Sequence, residues 1–117
     1  MSSPLDTVPR SIYASVMFVE LAGPDADAWR DVLESEDIVV LSVPRVIEAA
    51  VKISPELVHV VVVAQSMSAA ARAVLEEAAA EVGAEVMTLA PGTDGEQAFE
   101  VIRAAVRRVK QRRGVKG

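Results

Sequence analysis

The sequence contains no cysteine and only one histidine among its 117 residues. Disulfides, thiolate metal ligands and cysteine nucleophiles are therefore excluded, and nothing points to an oxidising compartment. The single histidine, His59, lies inside an apolar run, which favours a structural role. No phosphate-binding loop, dinucleotide-binding motif or zinc-ligand spacing is present. We therefore expect a protein that is not an enzyme and that holds neither a metal nor a cofactor.

Long apolar runs are also missing. The stretch Ile12–Ala22 follows Arg10 and imitates a signal peptide, but Glu20 interrupts it, and a buried strand explains it better. No stretch approaches the roughly 20 apolar residues that cross a bilayer. The sequence predicts a cytoplasmic protein without a membrane span.

Aromatic residues make up only 3% of the chain, whereas hydrophobic residues make up 51%. The core must therefore consist mainly of aliphatic side chains, and a chain of this length closes one such core. We expect a single domain over residues 1–117, ordered from about residue 12 to about residue 112, with flexible ends at 1–10 and 114–117.

Acidic and basic residues are separated along the chain. All 17 acidic residues lie within residues 1–102, whereas seven of the 12 basic residues lie within 103–117. An acidic body disfavours nucleic acid, because binding to a phosphate backbone needs a basic surface. Four of the bases form what we call the basic end: Arg107, Arg108, Arg112 and Arg113. The basic end either complements the negative pole of the last helix or serves as an electrostatic handle for RNA, anionic lipid or an acidic partner.

Short apolar runs alternate with segments of helical periodicity. The runs predict four strands, each followed by a helix, at Val16–Val19, Ile38–Leu41, Leu57–Ala64 and Glu85–Leu89. Right-handed crossovers then place helices on both faces of a mainly parallel sheet. The predicted fold is a three-layer α/β/α arrangement with a four-stranded sheet in the order 2-1-3-4.

Capping and turn residues predict where three of the helices begin and end. The first helix starts at the turn Gly23-Pro24 with Asp25, and it buries Trp29 on its inner face. The third helix starts after the N-cap Ser68 and stops at Gly83. The fourth starts at a capping box formed by Thr93 and Glu96 and runs to about residue 112.

The second helix and the strand before it contain many apolar residues. The strand Ile38–Leu41 is continuous and β-branched, which predicts a strand covered on both faces. The helix is expected to start at Pro44 and to end at Ser54-Pro55. Its inner stripe is predicted to contain Val46, Ile47, Ala50 and Val51.

The carboxyl ends of the strands carry little reactive chemistry. In a parallel sheet this edge is where ligands and reactive groups lie, yet the third strand runs directly into Gln65-Ser-Met-Ser68. Glu20 stands alone as an acid after the first strand, where a solvated carboxylate is its ordinary role, and Ser68 also suits a helix cap. We predict a switch-like crevice, without catalysis, formed by Glu20, Gln65, Ser66, Ser68, Ala90 and Pro91.

Two segments carry a resemblance to receiver (CheY-like) domains of two-component signalling. The segment 43–64 resembles the part of that family that leads to its phosphoacceptor strand, and the segment 83–91, followed by a helix, resembles its last strand, where a lysine precedes a proline. The resemblance covers most of residues 16–110 and implies a flavodoxin/CheY-like fold. It also implies signal transduction through contacts with another protein.

The residues that carry phosphorylation in that family are missing here. Receivers have a pair of acids after the first strand, an aspartate at the end of the third, and the lysine before the proline. This chain offers only Glu20, then Gln65 or Ser66, and Ala90 before Pro91, and it is one βα unit shorter. Without the acids there is neither an acceptor nor a magnesium site. The resemblance therefore implies a pseudo-receiver, a non-catalytic adaptor that takes no phosphoryl group.

The last helix is apolar around more of its circumference than one sheet face requires. Val101 and Ala104 extend the inner stripe sideways, and together with the basic end they predict a contact face for another protein, or for a second copy in a dimer. Two alternatives stay open. The run 57–65 is similar to part of the L7Ae-like RNA-binding proteins, and a four-stranded parallel sheet also suits a small-molecule or phosphocarrier domain of the sugar-transport type.

Overall fold

The computed structural model describes residues 13–53 and 58–114, in which strands and helices alternate as predicted. The strands of the described residues are β1 (Ala14–Val19), β2 (Ile38–Val43), β3 (Val60–Val63) and β4 (Glu85–Thr88). The helices are α1 (Pro24–Ser35), α2 (Val46–Lys52), α3 (Ala69–Val82) and α4 (Gly95–Gly114).

All of these strands run parallel, in the order β2-β1-β3-β4. Val16 of β1 pairs with Val40 of β2 on one side and with Val60 of β3 on the other, and Val60 pairs in turn with Glu85 of β4. The predicted strand order is confirmed. Because the chain leaves β1 and β3 towards opposite sides of the sheet, a crevice opens between the carboxyl ends of these two strands.

Helices cover both faces of the sheet, which gives three layers. On one face, Phe18 of β1 packs in a cluster with Trp29 of α1 and Ile102 of α4. On the other face, Met17 of β1 packs in a cluster with Leu75 of α3 and with residues of α2. Neighbouring residues of β1 serve opposite faces because successive side chains of a strand alternate. The arrangement is consistent with a flavodoxin-like three-layer fold.

The predicted limits of α3 are confirmed. Ser68 is the N-cap, and its hydroxyl accepts a hydrogen bond from the Ala71 N–H at 3.1 Å. Gly83 ends the helix in the left-handed conformation, with φ of 77°, which a residue without Cβ adopts at little cost. Leu75 and Ala79 form the buried stripe between these two ends.

The predicted capping box of α4 is wrong by one residue. The Thr93 hydroxyl donates to the Ala90 carbonyl oxygen at 2.7 Å, and Asp94 caps the helix by accepting from the Gln97 N–H at 2.8 Å. Thr93 with Glu96 and Asp94 with Gln97 have the same spacing, and aspartate caps a helix at least as well as threonine. The Thr93 hydroxyl is bonded to Ala90 in the preceding turn, so Asp94 and not Thr93 caps the helix.

The predicted inner stripe of α2 is confirmed for Val46 and Ala50 and wrong for Ile47 and Val51. Ile47 and Val51 are 79% and 81% exposed, whereas Ala49 is fully buried. The helix turns Val46, Ala49 and Ala50 towards the sheet, and Ile53, directly after the helix, packs in the same cluster. This second stripe has the same three- and four-residue spacing, and its alanines allow the helix axis to approach the strands closely. The helix begins at Val46, two residues after Pro44, and its last residue is Lys52.

The strand β2 is not covered on both faces, contrary to the prediction from its composition. It lies at one edge of the sheet, and Val39 is 43% exposed. Val39 shares a face with Leu41 and Val43, which do pack in the cluster that contains α2. The helix α2 has only seven residues, so it covers the carboxyl end of β2 and leaves Val39 open to solvent.

Several expectations concern residues outside the described part of the chain. They include the flexible segments 1–10 and 115–117, the stop at Ser54-Pro55 and the start of the third strand at Leu57. Gly114, expected at a flexible end, belongs to α4. Within the described residues, no helix has both the length and the apolar character needed to cross a membrane.

Candidate functional site

A cavity of about 410 Å³ lies at the carboxyl ends of β1 and β3, where the strand order creates the crevice. We call this cavity the crevice. The segments after β1, β3 and β4 and the first two turns of α1 line it. Its lining residues are Leu21, Ala22, Asp25, Ala26, Trp29, Ala64, Gln65, Ser66, Leu89 and Pro91.

Two hydrogen bonds join α1 to the loop between β4 and α4 and thereby shape the crevice. The Trp29 indole N–H donates to the Thr93 carbonyl oxygen at 2.7 Å, and the Gly92 N–H donates to Asp25 Oδ2 at 3.0 Å. Trp29 is almost completely buried, whereas Asp25 is exposed. The indole therefore has its single donor satisfied within the protein, and the carboxylate keeps acceptor capacity towards the solvent.

The structure brings only half of the predicted crevice residues together. Gln65, Ser66 and Pro91 line the crevice. Ser68 caps α3 through its hydroxyl, and the Ala90 carbonyl oxygen accepts two hydrogen bonds from Thr93, one from its backbone N–H and one from its hydroxyl. Both residues therefore act in local turns, next to the crevice and not in its wall.

Glu20, the sixth predicted residue, lines a different groove. Its backbone has a positive φ of 57°, which is uncommon for a residue with a side chain. Its N–H donates to the Val43 carbonyl oxygen at 3.0 Å and so continues the pairing of β1 with β2. The groove that Glu20 lines has a volume of about 520 Å³ and extends along α2, past Arg45 and Ile47, to Ala71 of α3.

The ionisable groups of the described residues are dispersed. Among the described residues, no group of three or more histidine and acidic side chains is placed to hold a metal ion. His59 lies at the other edge of the sheet, just before β3, and its Nδ1 accepts a hydrogen bond from the Ser15 N–H at 3.1 Å. Burial lowers the pKa of His59, and the nearby positive charges of Arg113 and Lys110 lower it further. The imidazole thus acts as a neutral acceptor in the sheet.

Three arginines of the basic end bind to the amino-terminal edge of the sheet. Arg108 donates two hydrogen bonds of 2.9 Å to the Glu85 carboxylate, and Arg112 donates a third of 2.9 Å to it. Arg113 donates to the carbonyl oxygens of Val82 and Val58 at 3.1 and 2.8 Å. Most of the basic end is therefore occupied by contacts within the chain.

The remaining predicted contact residues of α4 are open to solvent. Val101 is 45% exposed, and Ala104 and Arg107 are also exposed. Lys110, which lies between the arginines, stacks over the Tyr13 ring with its Nζ 3.9 Å from the ring centre. This contact is a cation–π interaction, so one more positive charge of the helix end is engaged within the chain.

The Glu85 carboxylate is expected to stabilise the fold in a pH-dependent way. Hydrogen bonds from Arg108, and secondarily those from Arg112, lower the pKa of Glu85, although its partial burial opposes them. A carboxylate with a lowered pKa in the folded state contributes stability above its ordinary pKa, and this contribution is lost as the pH falls through the lowered value. Glu85→Gln should lower the free energy of unfolding at neutral pH by about 1 kcal/mol, because the arginines are largely exposed.

Urea denaturation between about pH 7 and pH 3 would measure this effect, since the difference between wild type and Glu85→Gln should shrink below about pH 4. Glu81→Gln is the matched control, since Glu81 is an exposed glutamate of α3 that forms no ion pair with any described residue. An equal loss in both variants, or a difference that does not depend on pH, would contradict the role of the arginine contacts.

Two residues of the crevice wall, Asp25 and Trp29, were not predicted to belong to a site. The sequence explains Trp29 as a core residue and Asp25 as part of a helix start, and both statements hold in the structure. The turn Gly23-Pro24, four residues after the end of the first strand, was the available signal, because a helix that starts there turns its first residues towards the strand ends.

No protein-family model matches this sequence, and comparisons with curated proteins and with solved structures find no match either. Function must therefore be inferred from the residues of the crevice and of the helix surfaces.

Proposed function

We propose that this protein is a receiver-like adaptor that acts by binding another protein and takes no phosphoryl group. The strand ends supply no acceptor: Gln65 and Ser66 are neutral, and Glu20 lines a separate groove. The one carboxylate of the crevice wall, Asp25, belongs to α1 and accepts a hydrogen bond from the Gly92 N–H. Phosphoryl transfer to such a domain needs a carboxylate acceptor and further carboxylates for magnesium. A role in recognition fits these strand ends better than a role in chemistry.

The observation that carries the proposal is the exposed apolar surface of α2. Ile47 and Val51 are separated by one helical turn and are 79% and 81% exposed. Val74, on the neighbouring helix α3, is 47% exposed. Single exposed aliphatic residues are ordinary, whereas contiguous exposed apolar residues mark interaction surfaces. We call Ile47 and Val51 the α2 patch.

Charges of both signs surround the α2 patch. Arg45 and Lys52 lie at the two ends of the helix and are exposed, with Glu48 between them. Glu20 lines the same groove as Arg45 and Ile47, so two acids and two bases surround the patch. Complementary charges of this kind select a partner and orient it.

Treatment with acetyl phosphate and magnesium tests the absence of phosphotransfer. We expect the mass of the intact protein to stay unchanged, because no strand end offers an aspartate. A receiver domain with a complete set of acids, treated in parallel, serves as the positive control. Stoichiometric addition of one phosphoryl group would overturn the proposal.

Substitution of the α2 patch tests the binding role. A partner captured from lysate at moderate salt should bind the Ile47→Ser/Val51→Ser variant at least about tenfold more weakly, since truncating central apolar contacts typically costs more than 1 kcal/mol. Val101→Ser is the matched control and also tests the surface of α4. Loss with Val101→Ser alone would move the interface to α4, and nucleic acid as the sole captured material would contradict the adaptor function. Sedimentation equilibrium of the purified protein reports whether the partner is a second copy.

A further inference from the structure

The strands β2 and β4 form the two edges of the sheet in the described residues. An edge strand presents a row of unpaired N–H and C=O groups, which is a template for another strand. Proteins protect such edges with short strands, charged side chains or proline. The two edges of this sheet differ in that protection.

The edge strand β4 is short and carries charge. It has four residues, and the carboxylate of the first, Glu85, binds Arg108 and Arg112. At the other end of the strand, the Thr88 hydroxyl accepts a hydrogen bond from Arg72. These features are typical of an edge that does not pair with another chain.

The edge strand β2 has none of these features. Its six residues, Ile38–Val43, include neither a charged residue nor a proline. Val39 is 43% exposed, and no strand of the described residues pairs with the outer side of β2. An uncharged strand rich in β-branched residues is well suited to pair with a further strand.

The backbone groups of every second residue of β2 point outwards. The Glu20 N–H donates to the Val43 carbonyl oxygen, so the backbone groups of Val43 face β1. Since the direction of these groups alternates along a strand, the residues at even positions face away from β1. These residues are Ile38, Val40 and Ser42.

Charges of opposite sign lie near the two ends of the β2 edge. Glu34 and Glu36 precede the strand and are exposed, whereas Arg30 of α1 reaches its carboxyl end and donates a hydrogen bond to the Ser42 hydroxyl. Antiparallel pairing of two such edges brings the acids of one beside the arginine of the other, at both ends. Asp27 also lies 3.6 Å from Arg30, so these charges orient the strands more than they raise the affinity.

We propose that the β2 edge pairs antiparallel with the β2 edge of a second copy of this chain, which extends the sheet across a symmetric dimer. A two-fold axis perpendicular to the sheet places Val40 opposite Val40 of the second copy. Ile38 then lies opposite the second copy's Ser42, and the residues of each such pair exchange two backbone hydrogen bonds. Val39 lies beside the second copy's Leu41, which covers its exposed surface.

Sedimentation equilibrium of the purified full chain tests the dimer. Wild type should dimerise with a dissociation constant of about 1 mM or lower. Val39→Lys places a charge at the edge and should weaken the dimer at least about tenfold. Val74→Lys is the matched control, since Val74 is a valine of α3 with a similar exposure of 47%, and it should leave the dimer unchanged. Circular dichroism checks that both variants fold.

Hydrogen exchange followed by NMR locates the interface on the strand. The amides of Val40 and Ser42 should exchange more slowly as the protein concentration rises, because the second copy supplies their acceptors. The Leu41 amide faces β1 and should exchange slowly at every concentration, so it is the control within the same strand.

Three results would each overturn the proposal: a monomer at about 1 mM, equal weakening by Val39→Lys and Val74→Lys, or slow exchange of Val40 at every concentration. The last result would show that the β2 edge is covered within the chain.

The dimer does not depend on the adaptor function, because it uses the β2 edge and not the α2 patch. A dimer that is lost with Ile47→Ser/Val51→Ser and kept with Val39→Lys would place the second copy on the α2 patch. That result would contradict the pairing of the β2 edges and support the binding role of the α2 patch.

Discussion

Trp29→Ala is expected to lower the free energy of unfolding by about 3–5 kcal/mol, the range for removing a large aromatic side chain from a core. Trp29 is 2% exposed and packs in the cluster that contains Phe18, Leu33 and Ile102. The substitution leaves a cavity between α1, α4 and the sheet. It also removes the hydrogen bond to the Thr93 carbonyl oxygen. Urea denaturation followed by far-ultraviolet circular dichroism measures the loss, since the fluorescence of Trp29 disappears with the residue.

Trp29→Phe separates the two contributions. Phenylalanine keeps an aromatic ring in the core but cannot donate to the Thr93 carbonyl oxygen, so the loss from the hydrogen bond itself should be about 1 kcal/mol, with a further loss from the smaller ring. If Trp29→Ala is no more destabilising than Trp29→Phe, packing of the indole does not hold α1 on the sheet.

Gly95→Ala is expected to lower the free energy of unfolding by about 1–3 kcal/mol, because it overpacks the contact between α1 and α4. A Cβ added at Gly95 would lie 2.5 Å from Val32 Cγ2 and 3.6 Å from the Ala28 carbonyl oxygen. The sign of the change in stability distinguishes a crowded site from one with free space. At a helical site with free space, the same substitution stabilises a protein by about 0.4–1 kcal/mol.

Two further variants isolate the cause. Gly114→Ala is the matched control in the same helix, since no atom lies within 4 Å of a Cβ at that position, and it should be neutral or stabilising. Val32→Ala removes the clashing methyl, so Val32→Ala/Gly95→Ala should be more stable than the sum of the single losses by about 1 kcal/mol or more. Additive losses in this cycle would show that the two residues do not meet.

Composition and periodicity were sufficient for the architecture. The apolar runs are short and strongly β-branched, and each is followed by a helical segment with a clear start or stop, such as Ser68 and Gly83 around α3. Right-handed crossovers leave few ways to connect such elements, and the simplest order, 2-1-3-4, is the one observed. Local signals agreed with one another, and the prediction therefore succeeded.

The prediction failed where the sequence offers two comparable local patterns. The helix α2 contains two stripes of equal spacing, and the larger side chains Ile47 and Val51 indicated the wrong one. Thr93 and Asp94 are comparable N-caps one residue apart. In both cases structure outside the helix selects the solution. The close packing of α2 on the sheet selects its buried stripe, and the turn that precedes α4 selects Asp94 as the N-cap.

For the candidate sites too, the residue types could be predicted from the sequence, but their grouping in space could not. The neutral character of Gln65 and Ser66 is evident from the sequence, and so is the single acid after the first strand, Glu20. Which of these residues share a cavity is not evident, because Glu20 and Gln65 lie at the same edge of the sheet and line different grooves. The contacts of the basic end could not be predicted either, since Glu85 is 27 residues away from Arg112 along the chain.

The sequence by itself determined the alternation of strands and helices, the order of the strands, the aliphatic core and the absence of thiol chemistry. These properties depend on residue type and on spacing within one element. Only the tertiary structure decided the buried face of α2, the close approach at Gly95, the contacts of the basic end with Glu85, and the position of Asp25 and Trp29 in the crevice. Each of these depends on the distance between residues far apart in the chain, which no local pattern records.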